Sequence, residues 1–311
     1  MGMEKQRVFL LDKEATLLLK GCAILMVLLG HTRYIIWGGA GGVALFLLLS
    51  GYGIHTSYEQ NGLKQYWKRR IQKVWLPYCI VGLFDIIALK VHGKGVLLFT
   101  LIGLDFDLIA DKTMWYISFI MLWYAVYFCI AWIARNMRIL PKRITLSFGM
   151  VASMIPFFWL ASNNVWSVLS GASVYIVFFP LGVLLSCLRE WKLQPRYRYL
   201  LWLLLLFGSS AYLFRVYGQM YNTEMALAMA VMMISVTQVM TISGPIQKVL
   251  LFFGKYAYPI YLFEGVFLVV RHDWFSAAEI AVAIDLCYFL ATIAAAVVFD
   301  AAYKRFEIIL P

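Results

Sequence analysis

The sequence predicts an all-α fold: a polytopic membrane helix bundle of about ten transmembrane helices, with both termini on the cytoplasmic side. Three observations carry that expectation. Of the 311 residues, 63% are hydrophobic and only 14% charged, whereas about a quarter of a soluble domain is charged. Apolar runs long enough to cross a bilayer recur from end to end. The cations are also lopsided: with the N-terminus inside, 20 of the 27 Lys and Arg residues fall on the inner side, six on the outer side, and Lys20 within the first helix. That bias predicts N-in, C-in.

The expected spans are 17–37, 42–57, 74–90, 113–134, 144–161, 173–188, 198–215, 223–242, 257–271 and 277–302. The whole chain, 1–311, then reads as one integral-membrane domain of a plasma or inner membrane, with a cytoplasmic segment at 1–16 and a short cytoplasmic tail at 303–311. The first apolar run lacks a small-residue cleavage site and is expected to stay as a span. The second span follows "GGAGG" (38–42), read as a tight outer turn. Its Ser50, Gly51 and Gly53 are small enough to let helices approach closely. The segment 91–112 is half apolar and is expected at the outer interface. The ninth span has a blurred start, because "IQKVLLFFGKY" precedes it. Inverted halves of the transporter kind are not evident.

The net charge of +11 is a topology-setting and lipid-facing charge, not a nucleic-acid surface. The five cysteines all fall in predicted helices, at spacings that match no zinc or redox motif. No metal site is expected. Any ligand must bind within the bundle or at its mouth.

Ionisable residues inside spans are the strongest pointers to function. Lys20 and His31 are eleven residues apart, so at ~100° per residue they share a helix face, and at ~1.5 Å per residue they are separated by about 16 Å along it. Lys20 sits near the cytoplasmic mouth, and His31 lies toward the outside. Each has a plain reading beside the functional one: a snorkelling interface lysine and a packed histidine. Arg33 points elsewhere and snorkels. His55 reads as an interface residue. "QYWKRRIQKVWLPY" (65–78) gathers Lys68, Arg69, Arg70 and Lys73. Such a cluster orients a span and meets anionic lipid, or it clamps phosphate, since arginine forks match phosphate oxygens.

Taken in order, "KGCAILMVLLGH", "GGVALFLLLSGYGI", "YWKRRIQKVWLPY", "MWYISFIMLWYAVY" (114–127), "FFPLGVLL" (178–185) and "FGKYAYPIYLFEGVF" (253–267) resemble the acyltransferase-3 family of multi-pass membrane acyltransferases. The likeness runs from about residue 15 to 270 and rests on the ordered set rather than on any single piece. Lys20 stands where Arg is common, Lys73 where a second arginine is usual, Ala257 where Ser is usual, and Glu264 where His often stands. The membrane domain is expected to stand alone, without the fused extracellular esterase-like domain that many relatives carry.

The resemblance implies transfer of an acyl group, acetyl above all, from cytoplasmic acyl-CoA to a hydroxyl of an envelope sugar or other acceptor at the outer face. The partners would be the bilayer, acyl-CoA and a carbohydrate or other hydroxyl acceptor. Lys20, Arg69, Arg70 and Lys73 would hold the phosphate-rich donor, whose thin arm reaches up the Lys20–His31 stripe. His31, kept neutral by burial, would take the hydroxyl proton. Trp115, Tyr116 and Ser118 are candidate substrate-binding donors for the tetrahedral oxyanion. Glu264 would orient His31 as the acid of a triad does, provided that the first and ninth helices pack together. On the expected span limits, Glu264 lies nearer the cytoplasmic half than His31, and a hydrogen bond to Tyr258 or Tyr261 is the competing reading. A transporter or flippase of lipid-linked saccharides, and a structural membrane subunit, are the alternatives to an enzyme.

Overall fold

The computed structural model describes residues 11–32, 38–91, 95–103, 111–137, 141–165, 167–188, 195–219, 222–274 and 282–307. Among them every regular element is helical. In chain order these are α1 (Lys13–Gly30), α2 (Gly38–Asn61), α3 (Tyr66–Arg70), α4 (Leu76–Ala88), α5 (Val96–Ile102), α6 (Trp115–Asn136), α7 (Lys142–Ser162), α8 (Ser167–Gly171), α9 (Phe178–Cys187), α10 (Pro195–Arg215), α11 (Thr223–Val239), α12 (Gly244–Trp274) and α13 (Val282–Glu307). By length and composition, six helical stretches can cross a membrane: Gly38–Asn61, Tyr66–Ala88, Lys112–Asn136, Lys142–Ser162, Arg196–Arg215 and Val282–Arg305. Ser173–Cys187 and Thr223–Val239 are shorter apolar helices. α1 and α12 are not among them. They carry Lys13, Glu14 and Lys20, and Lys248, Lys255, Glu264 and Arg271, respectively.

Three sequence expectations need correction. The first helix ends at Gly30, so His31 caps its C-terminus instead of lying inside a span. Arg33 lies outside the described residues. The "GGAGG" stretch is the opening of α2, not a turn. A side chain on Gly42 would overlap the Ala23 carbonyl of α1, and one on Gly30 would overlap Gly39. These glycines let two helix backbones meet, so close approach explains them better than turn chemistry. The ninth helix begins at Gly244 and runs unbroken for 31 residues. Pro245 sits in its first turn, where a missing N–H costs nothing. The internal Pro259 is carried within the helix.

The segment expected at the outer interface, 91–112, is described at 91, 95–103 and 111–112. Its helix α5 packs along α4: Thr100 is buried, and its carbonyl accepts a hydrogen bond from Tyr78 near the start of α4. The described part of the segment is thus fastened to α4 through Thr100, while Leu97, Leu98 and Ile102 stay exposed.

α1 and α12 run parallel with a constant sequence offset. Gln247 of α12 meets Glu14 of α1, and Glu264 meets His31. Between these contacts Gly21 lies against the Leu250 backbone and Gly254 against that of Leu17. Any Cβ at either glycine would force the helices apart. α2 crosses α9 in the same way, through Gly51 and Gly182, whereas Gly53 faces open space. Association in lipid depends on such packing because tails are as apolar as leucine. Large aromatics fill the rest: Trp123 of α6 stacks on Phe179 at 5.5 Å and meets Phe157 at 4.5 Å.

Between α3 and α4, Ile71–Trp75 forms a π-helical turn. Pro77 follows it. Proline cannot donate, and its ring crowds the carbonyl four residues earlier, so the ladder widens there. Two of the turn's carbonyls find partners from distant helices. Tyr258 of α12 donates to Val74 at 2.5 Å, and Tyr303 of α13 donates to Gln72 at 2.5 Å. The basic segment is thereby fastened to the two C-terminal helices.

Candidate active site

Two cavities abut inside the bundle. The one at the His31 end of α1, named outer after the expected orientation, is about 450 Å³ and is lined by His31, Val43, Lys112, Thr113, Trp115, Tyr175 and Tyr261, among others. The end of α1 places His31 there. Its Nδ1 is hydrogen-bonded to Glu264 Oε1 of α12. The two side chains are unequally sealed: 36% of the His31 side chain is exposed and none of Glu264. The ring therefore reaches the cavity while its carboxylate partner is packed behind it. Tyr288 of α13 donates to the same Glu264 oxygen at 3.1 Å.

Asp111 flanks this pair. It caps the turn before α6, accepting from the Thr113 N–H and hydroxyl, each at 2.8 Å. Gly265 is what admits that turn, since a Cβ there would strike the Asp111 carboxylate and the Thr113 hydroxyl. Tyr261 closes the arrangement by donating to the Thr113 carbonyl. Among the described residues, Asp111 Oδ2 and Glu264 Oε2 have no hydrogen-bond partner. Beside Glu264, Arg271 and Asp285 form a buried ion pair at 2.6 Å that ties α12 to α13.

The inner cavity, about 350 Å³, is lined by Lys20, Arg70 and Lys73 together with Ser50, Tyr116, Tyr124, Tyr258 and Tyr261. The Arg70 guanidinium lies over the rings of Tyr66 and Tyr124, at 5.6 and 5.1 Å, a placement that suits a planar cation. At the far end Tyr116 and Tyr261 meet edge to face at 5.5 Å. Val43 and Tyr261 line both cavities, so the two spaces meet at that wall. Lys20 thus belongs to one cavity and His31 to the next.

The structure sorts the remaining candidates. Trp115 is in the outer cavity and Tyr116 in the inner one. Ser118 lines neither; its hydroxyl points at Gly103 of the segment after α5. The helical turn that aims Tyr116 inward aims Ser118 about 200° away. Arg69 is likewise absent from both linings, one residue round the helix from Arg70. The expected depth mismatch between Glu264 and His31 is overturned, because α12 starts at Gly244 and keeps step with α1. Tyr258 and Tyr261 bond backbone carbonyls and not Glu264. His55 is fully buried rather than interfacial, with Nδ1 2.9 Å from the Tyr127 hydroxyl.

Sequence reasoning missed Asp111 and Tyr288. Asp111 had a signal, an Asp before "KTMWYI" in the position of a helix N-cap. Tyr288, one aromatic in a uniformly apolar helix, had none.

A family model described as an acyltransferase domain, acyltransferase-3, matches residues 17–301. The chain belongs to the acyltransferase-3 family. It is therefore a multi-pass membrane acyltransferase, and the transporter and structural-subunit alternatives fall away. No curated protein and no solved structure matches it.

Proposed function

We propose that this acyltransferase-3 protein moves an acyl group, acetyl above all, from cytoplasmic acyl-CoA to a hydroxyl of an extracytoplasmic sugar or similar envelope acceptor. The observation that carries the reading is the paired arrangement: a cation-lined cavity meeting, at one wall, a cavity that holds a carboxylate-backed imidazole. A helix at each of the ten expected spans, and the excess of Lys and Arg on one side of those spans, support an N-in, C-in protein of the cell membrane.

In this account Lys20, Arg70 and Lys73 receive donor phosphates, and Arg69 contributes from beside them. The acyl-bearing arm fills the inner cavity as far as Val43 and Tyr261. With its Nδ1–H donating a hydrogen bond to Glu264, the neutral His31 ring keeps the lone pair on Nε2 and takes the acceptor's hydroxyl proton. The alkoxide oxygen bonds to the thioester carbonyl carbon; as the tetrahedral intermediate collapses, the carbon–sulfur bond breaks. The departing thiolate takes the proton from the imidazolium, so no net proton is released. Trp115 and Tyr116, at the two sides of the wall, are placed to donate to the oxyanion.

The test supplies acyl-labelled acyl-CoA to inside-out vesicles that contain the wild type or His31→Ala, with label sought on envelope polysaccharide. Transfer by the wild type alone supports the reading. Labelled acceptor at wild-type levels with a well-folded His31→Ala protein removes His31 from the chemistry.

A further inference from the structure

A third cavity, about 690 Å³, is neither of these. It opens at the same end of the bundle as Lys20, between the end of α2, the end of α6 and the start of α7. Lys64, Arg135, Lys142 and Arg143 line it, with Glu59 the one acid among its walls. Glu59 is engaged by Arg143 at 3.0 Å. Lys64, Arg135 and Lys142 have no acidic partner among the described residues, so the cavity holds cations in excess. Its floor is rigid: His55 is held between Tyr127 and Cys187, the latter with Sγ at 3.3 Å.

What lies beyond the rim identifies the ligand. Immediately after Lys142 and Arg143, α7 presents Ile144, Phe148, Val151 and Ile155, all exposed, with Phe148 75% and Ile155 72% exposed. Their spacing places them on one helix face. α6 adds exposed Trp132 and Ile133. A cationic cavity continued by a lipid-facing apolar stripe matches an amphiphile: a phosphate headgroup in the cavity and acyl chains along α7. A soluble phosphate compound would use the cavity and ignore the stripe. Basic pockets between membrane helices on this side of a protein are built to hold acidic headgroups.

We propose that the cavity between α2, α6 and α7 is a binding site for the phosphate headgroup of an acidic glycerophospholipid. The site is separate from the two catalytic cavities and does not depend on the acyl-CoA reading.

The test uses the full-length protein in a neutral detergent, titrated with short-chain phosphatidylglycerol, short-chain phosphatidylcholine or glycerol 3-phosphate, with melting temperature as the readout. Phosphatidylglycerol should raise it saturably. Lys64→Gln/Lys142→Gln, at two exposed positions, should bind roughly tenfold or more weakly, since each basic residue facing an acidic lipid contributes about fivefold. Lys142→Gln alone gives a smaller shift in the same direction. Lys248→Gln/Arg305→Gln removes equal charge elsewhere at that end and should bind as the wild type does. Equal stabilisation by phosphatidylcholine overturns the proposal, as does unchanged affinity in both cavity variants or equal loss in the distant control. Glycerol 3-phosphate matching the lipid's affinity overturns the lipid assignment in favour of a free phosphate site.

Discussion

The outer and inner cavities share a wall but are built on opposite plans. Around the outer one, polar side chains are locked to one another: His31 to Glu264, Glu264 to Tyr288, Asp111 to Thr113, and Tyr261 to the backbone beneath. The carboxylate behind His31 is wholly sealed. Around the inner one, Lys20, Arg70 and Lys73 line a mouth without carboxylate partners among the described residues, and Arg70 rests on aromatic rings. Fixed geometry suits bond-making, where small misplacement is costly. Unpaired cations suit capture of a polyanion, which supplies the missing charge itself. On the proposed reading, the contrast puts chemistry at the α1–α12 junction and donor binding at the segment around the π-helical turn.

Substitutions can break that division or sharpen it. His31→Ala should have the largest effect, lowering turnover by ~10²–10⁴-fold while donor affinity, read by isothermal titration with a non-transferable acyl-CoA analogue, stays unchanged. A loss of donor affinity instead would merge the two cavities into one functional unit. Glu264→Gln comes next. It keeps the shape and removes the charge, and turnover per folded molecule should fall at least ~10-fold, as expected when the group that orients a base is neutralised. A lower melting temperature with near-normal turnover would make Glu264 a structural residue. Arg70→Ala should raise KM for acyl-CoA with kcat little changed, and Arg70→Lys should do so less, because lysine keeps the charge but not the fork. Arg69→Ala, outside the lining, should cost less than Arg70→Ala. Ser118→Ala should change turnover least of all the candidate-site substitutions, because its hydroxyl faces Gly103 and neither cavity.

How much of this the sequence disclosed depended on how local the cause was. Apolar runs and charge bias are local, and a helix stands at each of the ten expected spans. His31, Lys20 and Glu264 stood out because charge inside an apolar run is conspicuous. The errors have a common origin in contacts between distant segments. "GGAGG" resembles a turn until Gly42 is seen against Ala23 of α1. The start of α12 was hidden because Lys248 and Lys255 lower its hydropathy without breaking its helix, and that misplaced Glu264 in depth. Ser118 follows Trp115 and Tyr116 in sequence but faces another way. Tyr288 and Tyr303 act through bonds to residues 24 and 231 positions away, a separation that no local pattern encodes. Among the described helices of 18 residues or more, α1 and α12 are the two outside the six membrane-spanning stretches, and the His31–Glu264 pair lies at their junction.

The central claim is that Glu264 acts through His31, and a double-mutant cycle tests it most directly. Turnover per folded molecule would be measured for the wild type, His31→Ala, Glu264→Gln and the double variant, each purified and supplied with saturating acyl-CoA. Residues that act as a unit are strongly non-additive. The account predicts that Glu264→Gln lowers turnover in the wild type and lowers it no further once His31 is alanine. Equal losses from Glu264→Gln in the two backgrounds would show independent roles and contradict the account.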